Sequence, residues 1–236
     1  MPAVAVYCGA SYGKHQAYTN AAVSLGRALA AQNRPLIYGG GAKGIMGVVS
    51  GAVLEGKGKV TGIVPFAMVA AGGEQEKSDP GNSLKVVLDV PGREAAETIV
   101  VNSMHERKVE MAKRADGFIG LPGGFGTFEE VLEVTTWTQL GIHNKPVVLL
   151  NVRRFWEPLR QLIKNSIEEG YIKPSSEHLI VFVDGPESLE EHDTYDWGTA
   201  GLKALDEWQS DPEGPLFNWL TNKDGEVSAD GKLAAT

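Results

Sequence analysis

Cysteine is almost absent: Cys8 is the only one in 236 residues, so no disulfide can close within the chain. A reducing compartment is the simplest setting for such a sequence, and the expected location is the cytoplasm. Long apolar runs are also missing. None reaches the roughly 18–20 residues of a membrane span, and Met1-Pro2-Ala3-Val4 lacks the basic start of a signal peptide, so no membrane partner is expected. Basic residues are outnumbered, 22 Lys and Arg against 30 Asp and Glu, for a net charge of −8. That argues against a nucleic-acid surface, which would need a basic stripe. It does not exclude a small anion, because a nest of backbone N–H groups binds phosphate on an acidic protein.

Glycine is abundant instead, 29 residues or roughly 12% against a usual level of about 7%. The glycines cluster after short apolar runs. Strands are expected at 4–8, 35–38, 60–64, 85–88, 117–121, 147–150 and 179–182. They are continuous apolar runs, as strands buried on both faces of a parallel sheet require. Segments of helical period lie between them, at 16–31, 45–55, 93–114, 128–140 and 155–169. This alternation specifies a single α/β domain over residues 1–183, a doubly wound, mostly parallel sheet with helices on both faces. A polar connection at 67–83 breaks the rhythm and is expected to be a mobile loop near the ligand. From residue 184 to 236 the pattern fades into an acidic extension. Trp197, Trp208 and Trp219 within it are costly to leave in water, so part of it should pack on the domain or on a partner subunit, with the last dozen residues loose.

Ligands of open parallel sheets bind beyond the carboxyl ends of the strands. Three glycine-rich turns fall there: Cys8-Gly9-Ala10-Ser11, Gly39 to Gly47 (with Gly40, Gly41 and Gly44), and Pro122-Gly123-Gly124-Phe125-Gly126-Thr127. In the third, Gly123, Gly124 and Gly126 clear the concave side before a helix whose N-terminus favours an anion, and Thr127 adds a hydroxyl. Any one such turn is weak evidence, since glycines often only pack a helix close to a strand. Three at strand ends point to a phosphate or nucleotide site. No Gly-Lys-Ser/Thr closes them as in a P-loop, and the dinucleotide fingerprint is poor.

Two readings are open for Glu130. Thr127-x-x-Glu130 has the spacing of a capping box. Alternatively, with Glu129 and Glu133 crowding the same helix end, one carboxylate faces the cleft. The preceding helix sets Met104, Arg107, Lys108 and Met111 on one side, at i, i+3, i+4 and i+7. That pattern suits either a salt-bridged surface or a ligand-facing pair of cations. His105 is a candidate general acid, although a lone helical histidine is more often only hydrogen-bonded.

Tyr38-Gly39-Gly40-Gly41, Gly44-Ile45-Met46-Gly47, Met104-His105-Glu106-Arg107-Lys108 and Pro122-Gly123-Gly124-Phe125-Gly126-Thr127-Phe128-Glu129-Glu130 resemble the LONELY GUY family, as do 137–146 and 149–152. Its members are cytokinin riboside 5′-monophosphate phosphoribohydrolases, formerly taken for lysine decarboxylases. The resemblance spans about residues 3–183. It implies a Rossmann-like homodimer, with higher assemblies open, that releases free base and ribose 5-phosphate from a purine nucleoside 5′-monophosphate without metal or cofactor. It implies Arg107 and Glu130 as catalytic residues. Gly40, Gly41, Met104, Lys108, Gly123, Gly124, Gly126 and Thr127 fall at the substrate and phosphate. Ala10 departs from the serine expected in the first turn. Met46, Met104 and Met111 are candidate walls for the base. Two other functions remain: a non-catalytic AMP-binding module, and a pyridoxal phosphate decarboxylase, for which Lys43 or Lys108 would have to supply the Schiff base.

Overall fold

The computed structural model describes residues 2–70, 95–210, 217 and 219. In chain order the elements are β1 (Val4–Tyr7), α1 (Gln16–Ala31), β2 (Leu36–Tyr38), α2 (Gly44–Glu55), β3 (Val60–Pro65), α3 (Phe66–Ala70) and β4 (Glu97–Val101). They continue with α4 (Met104–Arg114), β5 (Gly117–Gly120), α5 (Phe125–Leu140), β6 (Val147–Leu150), α6 (Glu157–Glu168), β7 (Ile180–Val183) and α7 (Trp197–Glu207). Among the described residues every strand pairing is parallel, in the order β4-β3-β2-β1-β5-β6-β7.

β1 lies at the centre, and the chain builds outward from it first on one side and then on the other. Tyr7 is in register with Gly120 of β5. The switch in direction therefore falls between β1 and β5, where the loops leaving the two strands diverge to opposite faces and leave a crevice. Side-chain alternation divides the core into two layers. Val4 and Val6 face Leu25, Leu29, Val49 and Trp197, whereas Ala5 and Tyr7 face Met111, Phe118, Val131 and Trp156.

Six of the expected strands are present; the seventh, at 85–88, lies outside the described residues, as does most of the connection at 67–83. Residues 67–70 of that connection belong to α3. The helix expected over 93–114 is corrected to a strand followed by a shorter helix. Glu97-Thr98-Ile99-Val100-Val101 is β-branched and pairs with β3, and α4 begins only after Ser103, whose hydroxyl accepts the Glu106 N–H at 3.0 Å.

The extension does not simply lose its pattern after Asp184. It forms α7, capped by Asp196, whose carboxylate accepts the Thr199 N–H at 3.1 Å. α7 packs on α1. Gly198 lets it approach closely: a side chain there would stand 2.7 Å from Ala28 Cβ, besides meeting the Ser24 carbonyl. Buried Leu202 and Leu205 each contribute about 1.5–3 kcal/mol of hydrophobic stabilisation. Beyond it, the Trp219 indole donates to the Leu140 carbonyl at 2.8 Å, at the end of α5.

Candidate active site

A cavity of about 530 Å³ opens in the crevice at the ends of β1 and β5. The three glycine-rich turns meet there and are tied together by backbone. The Gly9 N–H donates to the Pro122 carbonyl at 3.1 Å, and the Met46 N–H to the Gly9 carbonyl at 3.3 Å. Of the expected site residues, Met104, Arg107, Gly123, Gly124, Gly126, Thr127 and Glu130 line this cavity. Gly40, Gly41 and Lys108 stand outside the lining, and so does exposed His105. Gly40 packs against β3 with φ of 81°, where a side chain would run into Val64. Met46 lines the cavity, but Met111 is fully buried in the core and is no wall of the site. Gly39 of the second turn also lines it, as do Tyr7, Tyr18 and Phe155, which the sequence did not single out.

α5 begins three residues earlier than the sequence pattern suggests, with Gly124 as its N-cap and no capping side chain. This overturns the capping-box reading of Thr127 and Glu130. Thr127 lies inside the first turn, and Glu130 is buried in the second. The N–H groups of Phe125, Gly126 and Thr127 therefore have no carbonyl within the helix to reach. A side chain built at Gly124 or Gly126 would meet nothing within 4 Å. An open helix N-terminus of this kind receives an anion.

The charged pair lies deeper. Arg107 and Glu130 are each 9% exposed, and Arg107 Nη2 is 3.4 Å from Glu130 Oε1. That exceeds the ~2.7–2.9 Å of a closed charge-assisted bond. The other donors of the guanidinium are poorly served. Nη1 faces the sulfurs of Met104 at 3.9 Å and Met68 at 4.0 Å, and Nε has no partner among the described residues. Gly39 makes room for the guanidinium, since a methyl group there would overlap it. The pKa of Glu130 is raised to about 7, chiefly by burial and also by Glu129 and Glu133, against the opposing charges of Arg107 and Lys108. A carboxyl group that titrates near neutrality beside a cavity is poised for proton transfer. Tyr7 is held well above its ordinary value by burial and by the Glu130 charge.

A Schiff-base lysine does not fit here. No lysine is among the described residues that line the cavity, and Lys43 is exposed at the start of α2. Lys108 is locked to Glu129 and Glu133 at 2.7 and 2.8 Å.

No helix among the described residues is long and apolar enough to cross a membrane. A family model described as possible lysine decarboxylase matches residues 46–192. "Probable cytokinin riboside 5′-monophosphate phosphoribohydrolase LOGL2" of Oryza sativa subsp. japonica is 44% identical over 188 residues, 80% of this chain and 70% of that protein. Cytokinin riboside 5′-monophosphate phosphoribohydrolase LOG5 of Arabidopsis thaliana is 41% identical over 209 residues, 87% of this chain and 83% of its own. Among solved structures, the molybdenum cofactor carrier protein of Chlamydomonas reinhardtii matches with a TM-score of 0.54 at 19% identity, covering 87% of this chain and 99% of that one. The molybdenum cofactor binding protein of Rippkaea orientalis matches with a TM-score of 0.51 at 19% identity, covering 79% and 92%. At that identity the likeness shows a common fold alone. The two sequence relatives, the matched family model and the motifs around Arg107 and Glu130 together place this chain in the LONELY GUY family of cytokinin riboside 5′-monophosphate phosphoribohydrolases.

Proposed function

We propose that this chain hydrolyses the N-glycosidic bond of cytokinin riboside 5′-monophosphates, adding water across the bond to give the free base and ribose 5-phosphate. One observation carries the reading. Among the described residues, Arg107 is a buried cation with one carboxylate partner at 3.4 Å, only thioether sulfurs facing Nη1 and no partner for Nε, at the wall of a cavity that ends in an open helix N-terminus. A buried guanidinium needs acceptors, and a bound sugar phosphate supplies them.

In this reading the N–H groups from Gly124 to Thr127 and the Thr127 hydroxyl hold the phosphate, with Gly124 and Gly126 keeping its approach clear and Gly123 making room for the Thr127 side chain. The ribose then lies toward Glu130. Departure of the base leaves positive charge on C1′ and the ring oxygen, as in glycoside hydrolysis. Ionised Glu130 stabilises that cation and takes a proton from the attacking water; the hydroxyl ends on C1′ and a proton on the departing base nitrogen, so the net step consumes one water and returns Glu130 to its ionised form. Arg107 stays protonated throughout and orients Glu130 and the sugar phosphate. Met46 and Met104 border the space left for the base, and flexible thioethers suit an apolar N6 substituent. The same reading makes the protein a cytoplasmic homodimer, with residues 184–236 an extension of the catalytic domain; light scattering tests the dimer.

The direct test follows free base and ribose 5-phosphate from N6-isopentenyl-AMP and from AMP. Equimolar release, faster from the prenylated nucleotide, is expected. Comparable rates would make the protein a general AMP phosphoribohydrolase, and tight AMP binding without release would make it a binding module. Glu130→Gln should lower kcat by about 10²–10⁴ while the nucleotide Kd changes little; parallel loss of binding would remove Glu130 from the chemistry.

A further inference from the structure

Lys108, Glu129 and Glu133 form a cluster beside the reacting pair to which the mechanism above assigns nothing. Glu129 and Glu133 lie at i and i+4 on α5, and Lys108 reaches both from α4, with Nζ 2.7 Å from Glu129 Oε1 and 2.8 Å from Glu133 Oε1. The Lys108 and Glu133 side chains are 18% and 22% exposed, so their contact is partly sheltered from water, whereas Glu129 is 51% exposed and its contact lies at the surface. Lys108 follows Arg107 and Glu129 precedes Glu130. The two ion-pair sets are thus neighbouring rungs between the same two helices: Arg107 and Glu130 line the cavity, and of the second set Glu129 reaches the cavity while Lys108 and Glu133 stand outside its lining.

We propose that Lys108 is a positioning residue for Glu130, holding Glu129 and Glu133 in one clamp that cancels their charge beside the reacting carboxylate and fixes α4 against α5. This rests on Glu130 being the reacting group. The charged and titratable groups facing Glu130 are Arg107 and Lys108 from α4, Glu129 and Glu133 from α5, and Tyr7 from β1. Burial is the largest influence raising Glu130, and the two acids act in the same direction. Arg107 and Lys108 oppose them. For Lys108 itself burial acts to lower the pKa, but hydrogen bonds to both acids outweigh it and the net shift is upward. The amine therefore stays charged across the neutral range. Without it, two carboxylates would face Glu130 uncompensated, and its ionised form would become harder to reach.

The test pairs two readouts. One is the carboxyl ¹³C titration of Glu130 in the free protein, and the other is kcat/KM for N6-isopentenyl-AMP against pH. Lys108→Met should raise the midpoint of both by about one pH unit. The nucleotide KM measured above that midpoint should change less than about threefold. Lys108→Arg should leave the midpoint in place. Glu129→Gln/Glu133→Gln, with Lys108 intact, should lower it, a shift in the opposite direction that does not depend on how well the methionine variant folds. An unmoved midpoint in all variants would overturn the proposal. A KM raised tenfold or more at an unmoved midpoint would instead make Lys108 a phosphate ligand. If the wild-type protein released no base, the hydrolase reading would fail, while the ¹³C titration would still decide the clamp.

Discussion

The turn from Gly39 to Gly44 and the turn from Pro122 to Thr127 look alike in sequence, two glycine clusters between a strand and a helix. In space they do opposite things. Side chains added along the first would run into Arg107 at Gly39, Val64 at Gly40 and the Ala10 backbone at Gly44. Side chains added at Gly124 or Gly126 in the second would meet nothing within 4 Å. The first turn uses its glycines to let protein groups come close, including the guanidinium that reaches Glu130. The second uses two of its glycines to leave space at a helix N-terminus. Only empty space beside unpaired N–H groups can receive a ligand, so a run of glycines says that something comes near without saying what.

Substitution to alanine separates the two turns. The largest effect should come from Gly44→Ala, because φ is 59° there and the new methyl would overlap the rigid backbone of Ala10. A loss of about 2–4 kcal/mol in a denaturant melt is expected; a melt unchanged from wild type would show that the first turn is not packed as described. Gly39→Ala should come next, through Arg107. Displacing the guanidinium by about 1 Å should reduce kcat roughly 10–100-fold while stability falls by less than Gly44→Ala costs. Normal kcat in that variant would mean Arg107 does not need this seat. The mildest change should be Gly126→Ala. Stability should stay within about 0.5 kcal/mol, while KM for the nucleotide rises about tenfold as the methyl meets the phosphate. An unaltered KM would remove the phosphate from the second turn.

Much of this arrangement was legible before the structure. Continuous apolar runs marked the parallel strands, and Arg107, Glu130 and the third turn were found by motif. The misreadings have physical causes. The run at 97–101 reads as part of a helix because β4, the outermost strand among the described residues, is half exposed and mixed in pattern, although Ser103 with Glu106 signals the true helix start. Gly198 and Gly201 obscured α7 by diluting its helical period, yet they are the positions that seat it on its neighbours. Thr127 and Glu130 satisfied capping-box spacing because a helix does not announce its first residue when glycine is the cap. Lys108 shares a helix face with Arg107 by spacing, but its partners come from α5, and tertiary contacts of that kind have no local signature. The same holds for Tyr18 and Phe155, brought together at the cavity with ring centroids 6.2 Å apart.

The most direct test of the central claim, that a buried carboxylate at Glu130 carries the hydrolysis, is kcat/KM for N6-isopentenyl-AMP between pH 5 and 9. Burial is the main influence that raises this group to about 7, and in the proposed mechanism its ionised form acts. The rate should therefore climb with pH through a single ionisation centred near 7 and level off above it. A profile already flat from pH 5 upward would mean that the working group ionises like an ordinary exposed carboxylate, and would contradict the assignment.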